Sequence, residues 1–128
     1  MKRVTGIGGI FFKAEDPEKL YEWYARHLGL ERAPGEGVVF TWRQADDPAK
    51  AGMTVWSIFP MSSAYFDPGR ASFMINYRVE GLDGVLEALR AEGVEIDPRR
   101  EDGPNGRFAW IIDPEGNRIE LWEPATGK

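Results

Sequence analysis

Few side chains in this sequence are equipped for chemistry, and the least ordinary of them is Glu120, inside the stretch DPEGNRIELWEP that runs from Asp113 to Pro124. The stretch opens with turn residues and continues as a strand, which places a carboxylate between Ile119 and Leu121. Such a carboxylate has three uses: one half of a buried ion pair, a recognition group for a ligand's amine or hydroxyl, or a general base. Burial raises its pKa and a neighbouring cation lowers it, and the sequence does not choose between those pressures. His27 is the one imidazole and follows Trp23 by four residues near the end of a helical pattern. There it interacts with the last helical carbonyls, a structural role. With no cysteine, thiol catalysis, disulfides and thiolate metal sites are excluded. Any metal would depend on Asp, Glu, water and that one histidine.

A length of 128 residues, 42% of them hydrophobic, fits one compact domain, residues 1–128. The formal net charge of -5 leaves no basic field for a nucleic-acid backbone, and Lys and Arg are scattered. No apolar run approaches the roughly 18 residues of a membrane helix. The opening MKRVTGIGGIFF lacks the apolar core and cleavage site of a signal peptide. The expectation is a cytoplasmic protein that binds neither nucleic acid nor membrane.

The elements that must position Glu120 occur twice. Asp16 can cap a helix with Pro17 at its first position. Leu20, Tyr21, Tyr24 and Leu28 recur at helical spacing until Gly29. Leu82, Val85, Leu86 and Leu89 repeat the pattern until Gly93. Phe12 and Tyr77, Glu15 and Glu80, and Leu20 and Val85 lie 65 positions apart. The repeated unit reads βαβββ. Copy one has strands near 5–14, 31, 38–43 and 53–59; copy two has strands near 73–79, 94–97, 107–112 and 118–123. Module one thus covers about 4–60, a linker about 61–72 and module two about 73–124. Pro104-Asn105-Gly106 and Pro114-Glu115-Gly116-Asn117 supply turns. Gln44–Gly52, Asp46-Asp47 and Arg99-Arg100-Glu101-Asp102 read as solvated loops. Tyr65 and Phe66, in the linker, are candidates for a lid.

KAEDPEKLYEWYARHLGL, NYRVEGLDGVLEALRAEGVE and above all the Asp-Pro-x-Gly-Asn hairpin followed by Ile-Glu-Leu resemble the vicinal oxygen chelate superfamily of glyoxalases, bleomycin resistance proteins and extradiol dioxygenases. The resemblance spans nearly the whole chain. It implies an α+β fold of two βαβββ modules whose mixed sheets curl around a cavity, often in a homodimer. It also implies metal-ligand positions on the first and last strands of each module, which carry over to Gly9, Trp56, Met74 and Glu120. Only Glu120 suits a divalent ion, so a metal cofactor is possible but disfavoured.

Strand alternation then names the expected lining: Gly9, Phe11 and Lys13; Thr54, Trp56 and Ile58; Met74, Asn76 and Arg78; Arg118, Glu120 and Trp122. Ile10 and Phe12 would lie beneath the first helix, and Gly9 would leave room where a ligand histidine would sit. Phe11, Lys13, Trp56, Asn76, Arg78 and Trp122 are the candidate ligand-binding residues, with Glu120 the candidate catalytic one. Arg78 or Lys13 would be its ion-pair partner. The lining suits a small, partly aromatic molecule. The leading expectation is therefore a metal-independent binding protein. The alternative is an enzyme of the superfamily using Glu120 as base or metal ligand, a lyase or isomerase rather than a dioxygenase. A ligand-free structural dimer would instead show a cavity packed shut by its own aromatics.

Overall fold

The computed structural model describes residues 3–33 and 35–125. In order these form β1 (Val4–Ala14), α1 (Pro17–Leu28), β2 (Val38–Gln44), β3 (Asp47–Pro60), β4 (Phe73–Val79), α2 (Leu82–Ala91), β5 (Glu95–Gly103), β6 (Gly106–Ile112) and β7 (Arg118–Pro124). The strands make one open, mixed sheet in the order β2-β3-β1-β4-β7-β6-β5. Its two halves meet where β1 pairs antiparallel with β4, and each of those strands runs parallel to the last strand of its own half. This is the expected α+β architecture, with the duplication visible in the pairing.

The helices form where capping and apolar spacing said they would. Asp16 Oδ1 accepts from the Lys19 N–H at 3.2 Å, and Gly29 ends α1 at φ +71°, a conformation that favours glycine. Tyr21 fixes α1 to the sheet by accepting from the Ile58 N–H at 2.8 Å. On α2, Leu82, Val85 and Leu86 are buried against Val79, Ala109 and Leu121. Both helices cover one face of the sheet. The opposite, inner face carries a second cluster built on Phe11, Phe66, Met74 and Trp110.

Three expectations about the edges are corrected. Among the described residues no strand forms near Glu31, so module one reads βαββ there. Gln44–Gly52 is not a loop but the end of a hairpin that turns at Ala45-Asp46, with Trp42 opposite Gly52. Arg99–Asp102 likewise continue β5 beside β6. Both edges carry charged side chains on a paired backbone, a composition that blunts an edge strand as well as it marks a loop.

Candidate functional site

The turn before β7 decides where Glu120 points. Asp113 Oδ1 accepts from the backbone N–H groups of Glu115 and Asn117, both at 2.9 Å, and Oδ2 accepts from Asn117 Nδ2 at 3.0 Å. The Asn117 side-chain bond and these backbone bonds hold Asp113 below the usual carboxylate range. Gly116 closes the turn at φ +86°. With that register set, β6 places Trp110 opposite Glu120 and Phe108 opposite Trp122, and β4 places Asn76 opposite Glu120. Leu121 is thereby packed under α2, leaving Glu120 and Trp122 on the inner face.

Glu120 is 1% exposed. Its Oε1 accepts from Trp110 Nε1 at 3.0 Å and from the Tyr65 hydroxyl, and its Oε2 accepts from Asn76 Nδ2. All three donors are neutral. Burial pushes its pKa up, while the bonds from Tyr65, Asn76 and Trp110 and the field of Arg118 oppose that rise. Among the described residues Glu120 makes no ion pair, so the expected partnership with Arg78 or Lys13 is not formed. Arg78 lies over the rings of Trp122 and Trp42, 5.0 and 5.6 Å from their centroids, and burial lowers its pKa. Lys13 Nζ is 5.2 Å from the centre of the Phe66 ring. The cation whose field reaches the carboxylate is Arg118, with its side chain 3% exposed. Its Nη1 donates to the Tyr65 carbonyl at 2.5 Å, and its Nη2 stands 3.6 Å from Asp97 Oδ2, beyond hydrogen-bond distance. Asp97 is already held by Arg99 at 2.9 Å, which brings its pKa down to about 2.

The inner face gathers Phe11, Asn76, Arg78, Glu120 and Trp122 as the sequence proposed, with Met74 1% exposed among them. Trp56 is on the other side of the sheet. Its ring packs 6.0 Å from Tyr21, 4.8 Å from Tyr24 and 5.4 Å from Phe12, beneath α1. The register explains the error: Phe11 pairs with Ser57 and Ile10 with Trp56. Carrying the last-strand position over to Trp56 slipped module one by one residue, and one residue reverses every side chain. Thr54 and Ile58 move with it, and Val55 and Phe59 take their places in the inner cluster. The room expected at Gly9 is filled too, since a Cβ there would sit 2.6 Å from the Phe11 ring.

Tyr65 and Phe66 do more than cover. Phe66 is 1% exposed and packs into the inner cluster, while Tyr65 stacks on Phe59 at 5.5 Å with rings 10° apart. The inner face is thus filled by the chain's own aromatics, the feature expected of a ligand-free dimer, except at its rim. Tyr65 is half-buried, however, and with Trp110 and Arg118 it lines a cleft of about 290 Å³ completed by Arg99, Arg100 and Glu101. The sequence reading missed Tyr65 and Trp110 as partners of Glu120. Trp110 was findable, because Trp110 and Glu120 are equidistant from Glu115 at the centre of the turn and face each other across the hairpin. Nothing local pointed Tyr65 at a residue 55 positions away.

A model of the Glyoxalase/Bleomycin resistance protein/Dioxygenase superfamily matches residues 6–121. The chain belongs to that superfamily. No curated protein matches it in sequence. Among solved structures it resembles a variant of the Streptomyces coelicolor methylmalonyl-CoA epimerase in complex with 2-nitronate-propionyl-CoA (17% identity, TM-score 0.67, 96% of this chain and 99% of that one). It also resembles the Mycobacterium tuberculosis methylmalonyl-CoA epimerase (23%, 0.58, 98% and 91%). A Legionella pneumophila chain described as an NAD-dependent benzaldehyde dehydrogenase is similar at 14% identity and TM-score 0.58, over 91% of this chain and 98% of that one. At these identities the likeness is one of fold.

Superfamily members that use a metal need several ligands converging on one point. Here the lone pairs of Glu120 are engaged by three donors, Gly9 and Met74 offer no hard ligand, and Trp56 faces away. Among the described residues no three of His, Asp and Glu converge on one point. The residues present do not fit a divalent ion. No helix among them is long and apolar enough to cross a membrane.

Proposed function

We propose that this superfamily member is a cytoplasmic protein that binds a small, partly aromatic molecule on the inner face of its sheet without a complete metal site. One observation carries the reading: a carboxylate that is 1% exposed sits among aromatic rings with neutral donors only. Keeping such a group is costly unless something uses it, because an apolar residue of similar size would pack there without desolvation. Asn76 supports a polar exchange at this point. Its Oδ1 is buried with no hydrogen-bond partner among the described residues, and rotating the amide presents an acceptor where a donor now lies. The ligand would lie against Phe11 and Trp122, with its donor on Glu120, Asn76 and Arg78 beside it and Lys13 at the rim. A thermal-shift screen of aromatic and heterocyclic compounds tests this. The expected result is a rise in Tm that Glu120→Gln diminishes; no rise across a broad panel would refute it.

A second reading is favoured by the raised pKa: Glu120 moves a proton, as in a lyase or isomerase. It requires that Glu120→Gln abolish turnover while binding survives. We also propose a homodimer, since Val4, Ile7, Ile10 and Phe73 leave an apolar stripe, each between 39% and 49% exposed, on β1 and β4. Light scattering on Phe73→Glu against the unchanged protein tests it, and an unchanged mass would count against this face.

A further inference from the structure

Tyr65 is held at both ends. Its hydroxyl donates to Glu120, its ring lies flat on Phe59 and edge-on to Trp110, and its own carbonyl oxygen accepts from Arg118. Chemically this is a 4-hydroxyphenyl ring, two carbons and a carbonyl oxygen, seated on Glu120, on Phe59 and Trp110, and on Arg118. Arg118 is only partly served by it. Nε has no hydrogen-bond partner among the described residues, and Nη2 has only a long ion pair with Asp97 at 3.6 Å, so that side of the buried guanidinium carries no hydrogen bond. That Nε/Nη2 side is the one that takes a carboxylate in two parallel hydrogen bonds.

We infer that Tyr65 stands in the place of the ligand, and that the ligand is an aryl acid. It carries a ring hydroxyl for Glu120 and, two carbons from the ring, a carboxylate for Arg118. This rests on the inner-face binding at Glu120 proposed above, seats the ring on Phe59 and Trp110 at the end of that face away from Trp122, and specifies the chemical class. The surroundings of the cleft agree. In a chain of net charge -5, Arg99, Arg100 and Arg118 line it with one carboxylate, Glu101; Arg99 is held by Asp97 and Arg100 by Asp83, which leaves Arg118 as the cation without a close carboxylate. A neutral phenol would leave the buried guanidinium as it is; an anion would complete it. Admission requires only Tyr65 to swing. Phe66 is 1% exposed and anchors the linker, whereas Tyr65 is half-buried and already borders the cleft. The chain's own tyrosine therefore competes with the ligand, and loosening it improves binding.

Titration calorimetry with four probes tests this: 3-(4-hydroxyphenyl)propanoate, its methyl ester, 4-ethylphenol and 3-phenylpropanoate. The acid is expected to bind about tenfold or more tighter than the ester and 4-ethylphenol, and about tenfold tighter than the acid lacking the hydroxyl. Tyr65→Phe removes one anchor without opening a cavity and is expected to tighten the hydroxy acid about tenfold. Arg118→Gln is expected to erase the preference for acid over ester. The ester makes the same comparison from the ligand side if that variant does not fold. Equal affinity for acid, ester and 4-ethylphenol, or no gain in Tyr65→Phe, overturns the inference. If 4-ethylphenol or a heterocycle of the wider panel binds in a Glu120-dependent way while the acid gains nothing, inner-face binding stands and only the ligand class falls. If nothing binds, both fall.

Discussion

The two halves of the sheet are built alike and furnished differently. In module one the ladder between its first and last strands sets Phe11 opposite Ser57; the corresponding ladder in module two sets Asn76 opposite Glu120. Module one gives the inner face Phe11, Val55 and Phe59, whereas module two adds Asn76, Arg118 and Glu120 to its aromatics. Duplication supplies two equivalent places, but a buried carboxylate needs its donors within reach. Here they come from module two, through Asn76 and Trp110, and from the linker through Tyr65. One half is an apolar wall and the other holds the chemistry.

The comparison breaks first at the linker that joins wall and polar half. Phe66→Ala empties a site that is 1% exposed, with Phe59 5.2 Å away, and should cost about 3–5 kcal/mol in urea unfolding. A loss below about 1 kcal/mol would mean the linker is not seated as described. Next are the glycines. A Cβ at Gly8 would lie 2.3 Å from Asn76 Oδ1 and 2.8 Å from the Trp122 ring, so Gly8→Ala should cost about 1–3 kcal/mol through overpacking. Gly84, in α2 with nothing within 4 Å of its would-be Cβ, is the control: Gly84→Ala should stabilise by about 0.5–1 kcal/mol.

The polar half is sharpened by pH. Burial raises the folded-state pKa of Glu120 above its ordinary 4.5. Between those values the folded protein keeps a proton that the unfolded chain has lost, so stability falls as pH rises through that window and then levels off. Glu120→Gln removes the fall. The variant should be more stable than the parent at neutral pH, with the gap closing toward pH 4. Chemical denaturation at several pH values measures it, and parallel curves would show that Glu120 titrates normally. Asp97 acts in a separate window. Held down to about 2, it contributes stability that is present above its ordinary 3.8 and is lost only as pH falls toward 2.

How much of this the sequence disclosed follows from where the information lies. Caps, turn glycines and apolar spacing are local, and they placed α1, α2 and the Asp113–Asn117 turn, hence Glu120, Asn76 and Trp122 on one face. The edge strands were obscured because charged residues on a paired edge look like loop. Trp56 was misplaced because face depends on register, and the pairing of Ile10 with Trp56 and Phe11 with Ser57 is set between two strands more than 40 residues apart. Tyr65 was legible as an aromatic needing a surface, but its partner lies 55 residues away, a distance set by the fold alone.

Lys13 gives the smallest and most discriminating test of the asymmetry. As an inward residue of the wall module it was a candidate counter-ion for Glu120, which would have tied the halves together electrostatically. Instead its ammonium lies over Phe66, half-buried, where a cation–π contact is worth about 0.5–1 kcal/mol. Lys13→Met keeps most of the stem and removes the charge, so the expected loss is about 0.5 kcal/mol, equal at every pH between 4.5 and 8. Were Lys13 the partner of Glu120, removing it would raise the carboxyl pKa further, and the variant would lose progressively more stability as pH rises. A constant offset places the electrostatics of Glu120 wholly in module two and the linker; a widening one returns a share to module one.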